Sequence, residues 1–179
     1  NALEGMQRMR ESVDAIVVIS TDRFRELYGD LGLKAGFSKG DEILAMAAKG
    51  IAEIITGDGY VNVDMNDVRT VMTNSGDAVI GSSEASGEYR AMQAMREALT
   101  SPLLVNNDIR NAKSILVNYL YSDKEVTIDE LSETMEMVQM KVDDDVTIIW
   151  GASQVEGMGD KLKISVVVTG QLLAEDKLV

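Results

Sequence analysis

The chain has 179 residues, of which 45 % are hydrophobic and 26 % are charged, and its formal net charge at pH 7 is −13. This length and composition predict one substantial hydrophobic core and no membrane span. The negative charge disfavours nucleic acid and anionic lipid as direct partners, because both carry negative phosphates. The absence of His and Cys excludes disulfides, thiol nucleophiles, Ser-His-Asp triads and the usual zinc ligand sets.

The first 36 residues predict a helix followed by a buried strand. Apolar residues recur at helical spacing up to Val13, and residues 15–19 form a β-branched run typical of a strand that is covered on both faces. No earlier strand precedes this one, so we expect it to be mobile or to pair with another copy of the chain. Residues 1–36 are interpreted as the remnant of an N-terminal domain, and residues 1–2 resemble the trace of a removed tag.

Residues 37–57 are predicted to form one long helix that is buried on much of its circumference. Phe37 and Asp41 are four positions apart, so they share a face of this helix. A flat ring beside a carboxylate could stack on a purine and accept hydrogen bonds from its N–H groups, although an isolated Phe more often packs in a core. Thr21 follows the predicted strand where a loop could meet a ligand, but it also suits a helix N-cap.

Residues 58–67 form a polar loop between two helical patterns. Asn62, Asp64 and Asn66 alternate with apolar residues, so in an extended chain their oxygens point to one side. Asp64 or Asn66 can cap the next helix, and Asp67 favours its dipole. From the residues alone, three interpretations stand: helix capping, a solvated acidic turn, and a Mg²⁺ site formed by Asp64, Asn66 and Asp67.

The second half of the chain predicts a separate unit with the order β-α-β-α-β-β. Strands are predicted at residues 78–83, 114–120, 146–151 and 162–168, and helices at residues 88–99 and from Thr127 onward. Thr127 and Glu130 fit a capping box. The predicted fold class is α/β (α+β), with a mixed four-stranded sheet and two helices, and the periodicity fades into a polar tail after residue 170.

Five segments of the chain occur in an order and spacing that resemble the FtsZ family of tubulin-like, bacterial cell-division GTPases. They are Gly50-Ile51-Ala52-Glu53-Ile54-Ile55-Thr56, Asn62-Val63-Asp64, Asp67-Val68-Arg69-Thr70-Val71-Met72, Ala85-Ser86-Gly87-Glu88-Tyr89-Arg90-Ala91 and Ser101-Pro102-Leu103-Leu104. The resemblance covers residues 3–170. It implies the division of the chain into part of the GTP-binding domain (1–36), the central helix (37–57), the synergy loop (58–67), the C-terminal domain (68–170) and the start of a tail (171–179).

The resemblance also implies the roles of individual residues. In a filament the synergy loop inserts into the nucleotide site of the neighbouring subunit, where Asp64 and Asp67 would orient the attacking water and Asn62 would fix the geometry. Phe37 and Asp41 would contact the guanine of GTP, and Thr21 would be a further GTP-binding residue. Mg²⁺ would accompany the nucleotide, and no metal ligand is assigned to the chain itself. The family's phosphate loop, G-G-G-T-G-[ST]-G, has no copy here, so the chain alone is expected to be inactive.

The expected partners follow from the same resemblance. They are further copies of the subunit in a filament, together with division proteins and membrane tethers that bind a tail beyond residue 179, in the cytoplasm at the division site. Two alternatives remain open from the sequence: a non-catalytic α/β interaction module, and a self-contained Mg²⁺-dependent hydrolase built on the loop carboxylates.

Overall fold

A computed structural model describes residues 2–17, 25, 29–56, 59–61, 63–100 and 109–170. In this part of the chain the helices are α1 (Ala2–Arg10), α2 (Leu33–Thr56), α3 (Met65–Met72), α4 (Arg90–Leu99) and α5 (Ile128–Gln139). The strands are β1 (Ala15–Val17), β2 (Gly59–Val61), β3 (Gly76–Ala85), β4 (Ser114–Tyr121), β5 (Thr147–Gln154) and β6 (Leu162–Thr169). None of the described helices is long and apolar enough to span a bilayer.

The strands form one mixed sheet in the order β1-β3-β6-β4-β5-β2. β4 and β5 are parallel and are joined through α5, whereas β6 is antiparallel to both of its neighbours, β3 and β4. These four long strands and their two helices confirm the predicted α/β class and the predicted order of strands and helices along the chain. A three-residue strand on each edge, β1 and β2, extends the predicted four-stranded sheet to six strands.

Helices cover both faces of the sheet, because successive strand residues point to opposite sides. On the first face Val79, Val168 and Ile115 lie side by side in the register and pack with residues of α4 and α5 such as Met95 and Val138. On the second face the next residues along these strands pack against α2 and α3, in a cluster of Ile54, Val63, Val68, Val71, Ile80, Leu116 and Val167. The second cluster anchors the helix that follows the loop.

The N-terminal strand pairs within its own chain, so the expectation that it would pair with another copy was wrong, whereas its mobility stays a prediction. β1 lies parallel to the start of β3, with Ala15 opposite Gly76 and Val17 opposite Ala78. Local pattern could not reveal this partner, which lies about sixty positions further along the chain. Residues 18 and 19, the rest of the predicted strand, lie outside the described residues.

The buried Arg90 explains a second difference from the predicted pattern. Helix α4 begins at Arg90 rather than at residue 88, and Tyr89 is its N-cap residue and is 73 % exposed. The Arg90 guanidinium is fully buried and donates five hydrogen bonds, to both carboxylate oxygens of Glu130 and to the carbonyl oxygens of Lys124, Glu125 and Asp160. It thereby joins the start of α4 to two loops at one end of the sheet.

Candidate functional site

The polar loop is fixed to the edge of the sheet on both sides of Asn62. Before Asn62, β2 pairs antiparallel with β5, with Gly59 opposite Ser153 and Val61 opposite Ala152. After it, Val63 is buried in the cluster on the second face. Asn62 itself, the first of the predicted catalytic residues, lies outside the described residues, so its role remains a prediction.

The close packing of the loop against β5 depends on a glycine. A Cβ atom on Gly151 would lie 2.7 Å from Val63 Cγ2 and 2.9 Å from the carbonyl oxygen of Val61. Carbon atoms in ordinary van der Waals contact are about 3.5–4.0 Å apart. A larger residue at this position would therefore push the loop backbone away from the sheet.

Asp64 and Asp67 form a reciprocal capping box at the start of α3. Oδ1 of Asp64 accepts hydrogen bonds from the backbone N–H groups of Asn66, at 2.6 Å, and Asp67, at 2.9 Å. Oδ2 of Asp67 accepts a bond of 3.1 Å from the backbone N–H of Asp64. The capping prediction is confirmed, with Asp64 rather than Asn66 as the N-cap residue. Three amide donors that a helix start leaves without helical partners are thus satisfied by the two carboxylates.

The capping box leaves one oxygen of each carboxylate available. Within the described part of the chain, no hydrogen bond reaches Oδ2 of Asp64 or Oδ1 of Asp67. Asp64 is exposed and Asp67 is half-buried. Both carboxylates lie at the positive end of the α3 dipole, where a negative charge is stabilising. The geometry therefore presents two oriented anionic oxygens to whatever approaches the start of α3.

Helix α3 holds these carboxylates in a fixed position relative to the sheet. Its buried residues Val68 and Val71 pack against Leu116 and Val167 on the second face. The hydroxyl of Thr169, at the end of β6, donates a hydrogen bond of 3.0 Å to the carbonyl oxygen of Val71. An oriented group on a packed helix keeps its position better than one on a free loop.

The candidate guanine contacts lie on the first half of α2. This helix begins at Leu33, four residues before its predicted start. Phe37 is 70 % exposed and Asp41 is also exposed, so neither side chain belongs to the hydrophobic core. An exposed ring and an acceptor one turn apart fit a purine base, whose face can stack while its N–H groups donate. Thr21, the third predicted contact, lies outside the described residues.

The two groups of candidate residues lie at opposite ends of α2. Between Asp41 and the end of the helix at Thr56 the rise amounts to roughly 20 Å, at about 1.5 Å per residue. The loop carboxylates adjoin Val63 and Val68, which pack with Ile54 in the last turn of the helix. A single nucleotide bound at Phe37 and Asp41 would therefore be distant from Asp64 and Asp67 of the same chain.

No metal-binding group of three or more His, Cys, Asp or Glu residues occurs among the residues that the structure describes. The proposed Mg²⁺ site of Asp64, Asn66 and Asp67 would have to share the oxygens that already bind backbone amides. Helix capping accounts for the positions of Asp64 and Asp67. Oδ2 of Asp64 and Oδ1 of Asp67 remain available for a further contact.

Comparisons with known proteins agree with this architecture. The model of the FtsZ family C-terminal domain matches residues 76–171. The cell division protein FtsZ 1 of Thermococcus kodakarensis is 41 % identical over 170 residues, which cover 95 % of this chain and 45 % of that protein. An FtsZ dimer of M. jannaschii, solved empty, superposes with a TM-score of 0.83 at 38 % identity, over 94 % of this chain and 49 % of that one.

A more distant structure shows the fold alone. A GTPγS-bound protofilament of CetZ2 from Haloferax volcanii has a TM-score of 0.72 at 16 % identity, over 96 % of this chain and 51 % of that chain. The chain thus spans about half the length of the relatives and structures that it matches.

Proposed function

This chain belongs to the FtsZ family of cell-division proteins, and from that premise we propose that its loop completes the GTP-hydrolysing site of the adjacent subunit in a filament. Asp64 and Asp67 would orient the attacking water, and Asn62 would help to fix the loop. The name of one similar structure, the FtsZ dimer of M. jannaschii, supports self-association.

The reciprocal capping box is the observation that carries this proposal. Hydrolysis of a phosphoanhydride requires a water held in line with the terminal phosphate, and a carboxylate can accept its protons and orient it. Asp64 and Asp67 each have one oxygen held by backbone N–H groups and one oxygen left for such a contact. Capping and catalysis are therefore compatible roles, because capping fixes the direction of the second oxygens.

The length of α2 supports action on a neighbouring subunit. Phe37 and Asp41 would hold guanine at one end of the helix, with Thr21 as a further contact. Asp64 and Asp67 adjoin residues that pack with Ile54 near the other end of the helix, and the helix rises roughly 20 Å between Asp41 and Thr56. Subunits stacked head to tail would bring the loop of one to the nucleotide of the next, which is the heterologous arrangement that produces filaments.

The bond that is broken is the phosphoanhydride bond of GTP. This chain would contribute side chains that contact the base and orient the water. Phe37, Asp41 and Asp64 are exposed and Asp67 is half-buried, and the three carboxylates would supply the acceptor oxygens. Since the sequence contains no copy of the glycine-rich phosphate loop, another polypeptide segment would hold the phosphates and any accompanying Mg²⁺. Such a filament would act in the cytoplasm at the division site, with tethers and other division proteins as further partners.

The decisive experiment separates capping from catalysis in an assembling protein. A chimera joins the nucleotide-binding half of the M. jannaschii FtsZ to this chain. In the chimera Asp64→Ser keeps an N-cap oxygen, and Asp67→Asn keeps the acceptor for the Asp64 N–H, while each removes a carboxylate. We expect GTP binding and polymer mass to stay unchanged and turnover per polymerised subunit to fall by about 10²-fold or more.

A matched control tests the effect of a lost helix cap away from the loop. Thr127→Ala removes the equivalent capping box of α5 and should lower stability by about 0.5–2 kcal/mol with normal turnover.

A mixture of the Asp64→Ser and Phe37→Ala chimeras should regain turnover, because some interfaces combine an intact loop with an intact base contact. Normal turnover in Asp64→Ser and Asp67→Asn filaments would mean that the carboxylates only cap the helix.

A further inference from the structure

We propose that α1 and β1 are held on the edge of the sheet by an ion-pair latch between Arg10 and Asp77, which opens as one local step while the rest of the sheet stays folded. The latch consists of Arg10, Asp14 and the turn of residues 74–77. The inference does not depend on the proposed GTPase role. It concerns how the N-terminal segment is attached to the domain behind it.

The ion pair joins residues that are far apart in the sequence. Nη2 and Nε of Arg10 donate hydrogen bonds of 2.8 and 3.2 Å to Oδ1 of Asp77. The Asp77 side chain is 0 % exposed, whereas that of Arg10 is 27 % exposed. Asp77 also makes another interaction, but a carboxylate removed from water depends strongly on all of its donors, so losing the cationic partner weakens the compensation of its charge.

Asp14 completes the latch through the turn before β3. Its carbonyl oxygen accepts hydrogen bonds from the N–H groups of Ser75, at 2.9 Å, and Gly76, at 3.1 Å. Its carboxylate Oδ1 accepts a bond of 3.1 Å from the N–H of Asn74. Three successive amides of the turn are thus bound by one residue of the N-terminal segment, immediately beside the first pair of the β1–β3 ladder.

Among the described residues of α1 and β1, hydrophobic packing contributes little to this attachment. None of the described side chains of α1 is buried, and within β1 Ile16 is buried while Val17 is exposed. Ile16 belongs to neither of the two core clusters. A segment attached mainly by polar contacts, with few buried apolar groups, belongs to the low-stability end of a structure, where local opening precedes global unfolding.

Opening the latch would uncover the outer edge of β3. β1 pairs with only residues 76–78 of that strand, and these backbone groups would become available to water or to another strand. The central ladders would be unaffected, because β6 and β4 pair along their full length on the other side of β3. The two parts of the molecule should therefore exchange amide hydrogens with different free energies of opening.

Hydrogen–deuterium exchange of the full chain tests the latch. In Arg10→Met, peptides that cover residues 15–17 and 74–78 should exchange at least about tenfold faster, while those of β4 and β6 keep their wild-type rates. Arg8→Met is the matched control, because Arg8 lies on the same helix and pairs with Glu4 on the exposed surface. It should leave the exchange of residues 15–17 unchanged.

A compensating variant keeps the test decisive. Replacing both partners, as in Arg10→Met with Asp77→Leu, removes the buried charge and should slow exchange at residues 15–17 relative to Arg10→Met alone. If Arg10→Met does not fold, Arg10→Lys provides the same comparison, because Lys keeps the charge but cannot donate from two nitrogens in the fixed geometry of the guanidinium. Unchanged exchange at residues 15–17, or faster exchange spread evenly over β4 and β6, would overturn the latch.

Discussion

At the scale of single residues, Arg90 shows how a charge can be accommodated in the core. Its side chain is 0 % exposed, and an unpaired guanidinium in such a place would be very costly. The hydrogen bonds to Glu130 and to three carbonyl oxygens satisfy its N–H groups. Burial acts to raise the pKa of Glu130, but the Arg90 guanidinium and the Thr127 N–H outweigh burial and hold the pKa below its ordinary value of 4.5.

We predict that Arg90→Met lowers the free energy of unfolding by about 3–5 kcal/mol, because it leaves Glu130 and three carbonyl groups without their shared donor. Urea denaturation at pH 7 measures the change. Arg96→Met is the control, since Arg96 lies on the exposed side of the same helix, and surface substitutions usually change stability by less than about 0.5 kcal/mol.

The acid dependence gives an independent check of the same ion pair. Because the folded-state pKa of Glu130 is lowered, its stabilising contribution is present above the unfolded-state pKa and is lost as the pH falls through the folded-state value. The wild type should therefore lose stability more steeply below pH 4.5 than Glu130→Gln does. Parallel acid profiles for the two proteins would contradict this account of the pair.

At the scale of elements, the loop and β5 form one packed unit that includes the start of α3. β2 adds a short antiparallel strand to the edge of β5, and Val63 fills the space above Gly151. The same chain segment then turns into the capped helix. The position of the two carboxylates therefore depends on the contact of residues 61–63 with β5, and not on the loop sequence alone.

We predict that Gly151→Ala displaces residues 61–63 from the sheet edge and lowers the free energy of unfolding by about 1–3 kcal/mol, the usual range for overpacking. Amide exchange of residues 59–63 should rise. Gly36→Ala is the control, because nothing lies within 4 Å of its added Cβ and a helical Gly→Ala change stabilises by roughly 0.5–1 kcal/mol. Equal behaviour of the two variants would show that the loop is not packed as closely as the distances indicate.

At the scale of the whole molecule, α2 separates the proposed base contacts from the loop. Its 24 residues form a rigid connection of about 36 Å. A change in the position of one end can be transmitted to the other end, because the second half of the helix packs against the sheet through Ile54 and through an ion pair of 2.6 Å between Glu53 and Lys163.

We predict that the chain by itself binds GTP more weakly than about 1 mM and shows no hydrolysis. A base contact without phosphate-binding amides provides too little interaction free energy to offset the entropy of association. Isothermal titration calorimetry checks the affinity, and phosphate release checks the turnover. A micromolar dissociation constant would contradict this prediction. It would show that the chain forms a complete nucleotide site by itself, and it would weaken the case for a site shared between two subunits.

Features that depend on neighbouring residues were determined by the sequence itself. The order of strands and helices along the second half follows from the periodicity of its apolar residues. The capping box of Thr127 and Glu130 and the cap at Asp64 follow from hydrogen bonds between residues no more than four positions apart. Strong local patterns of this kind need no knowledge of distant contacts. The family resemblance added roles for Phe37, Asp41 and the loop, which the pattern alone left open.

The tertiary structure decided what depends on distant partners. The pairing of β1 with β3, the ion pair of Arg10 with Asp77 across 67 positions, and the burial of Arg90 against Glu130 across 40 positions have no local signature. Their free energy comes from desolvation and hydrogen bonding in a specific three-dimensional arrangement. For the same reason, the sequence indicated a polar loop, whereas only the structure showed that this loop packs on the sheet edge through Val63 and Gly151.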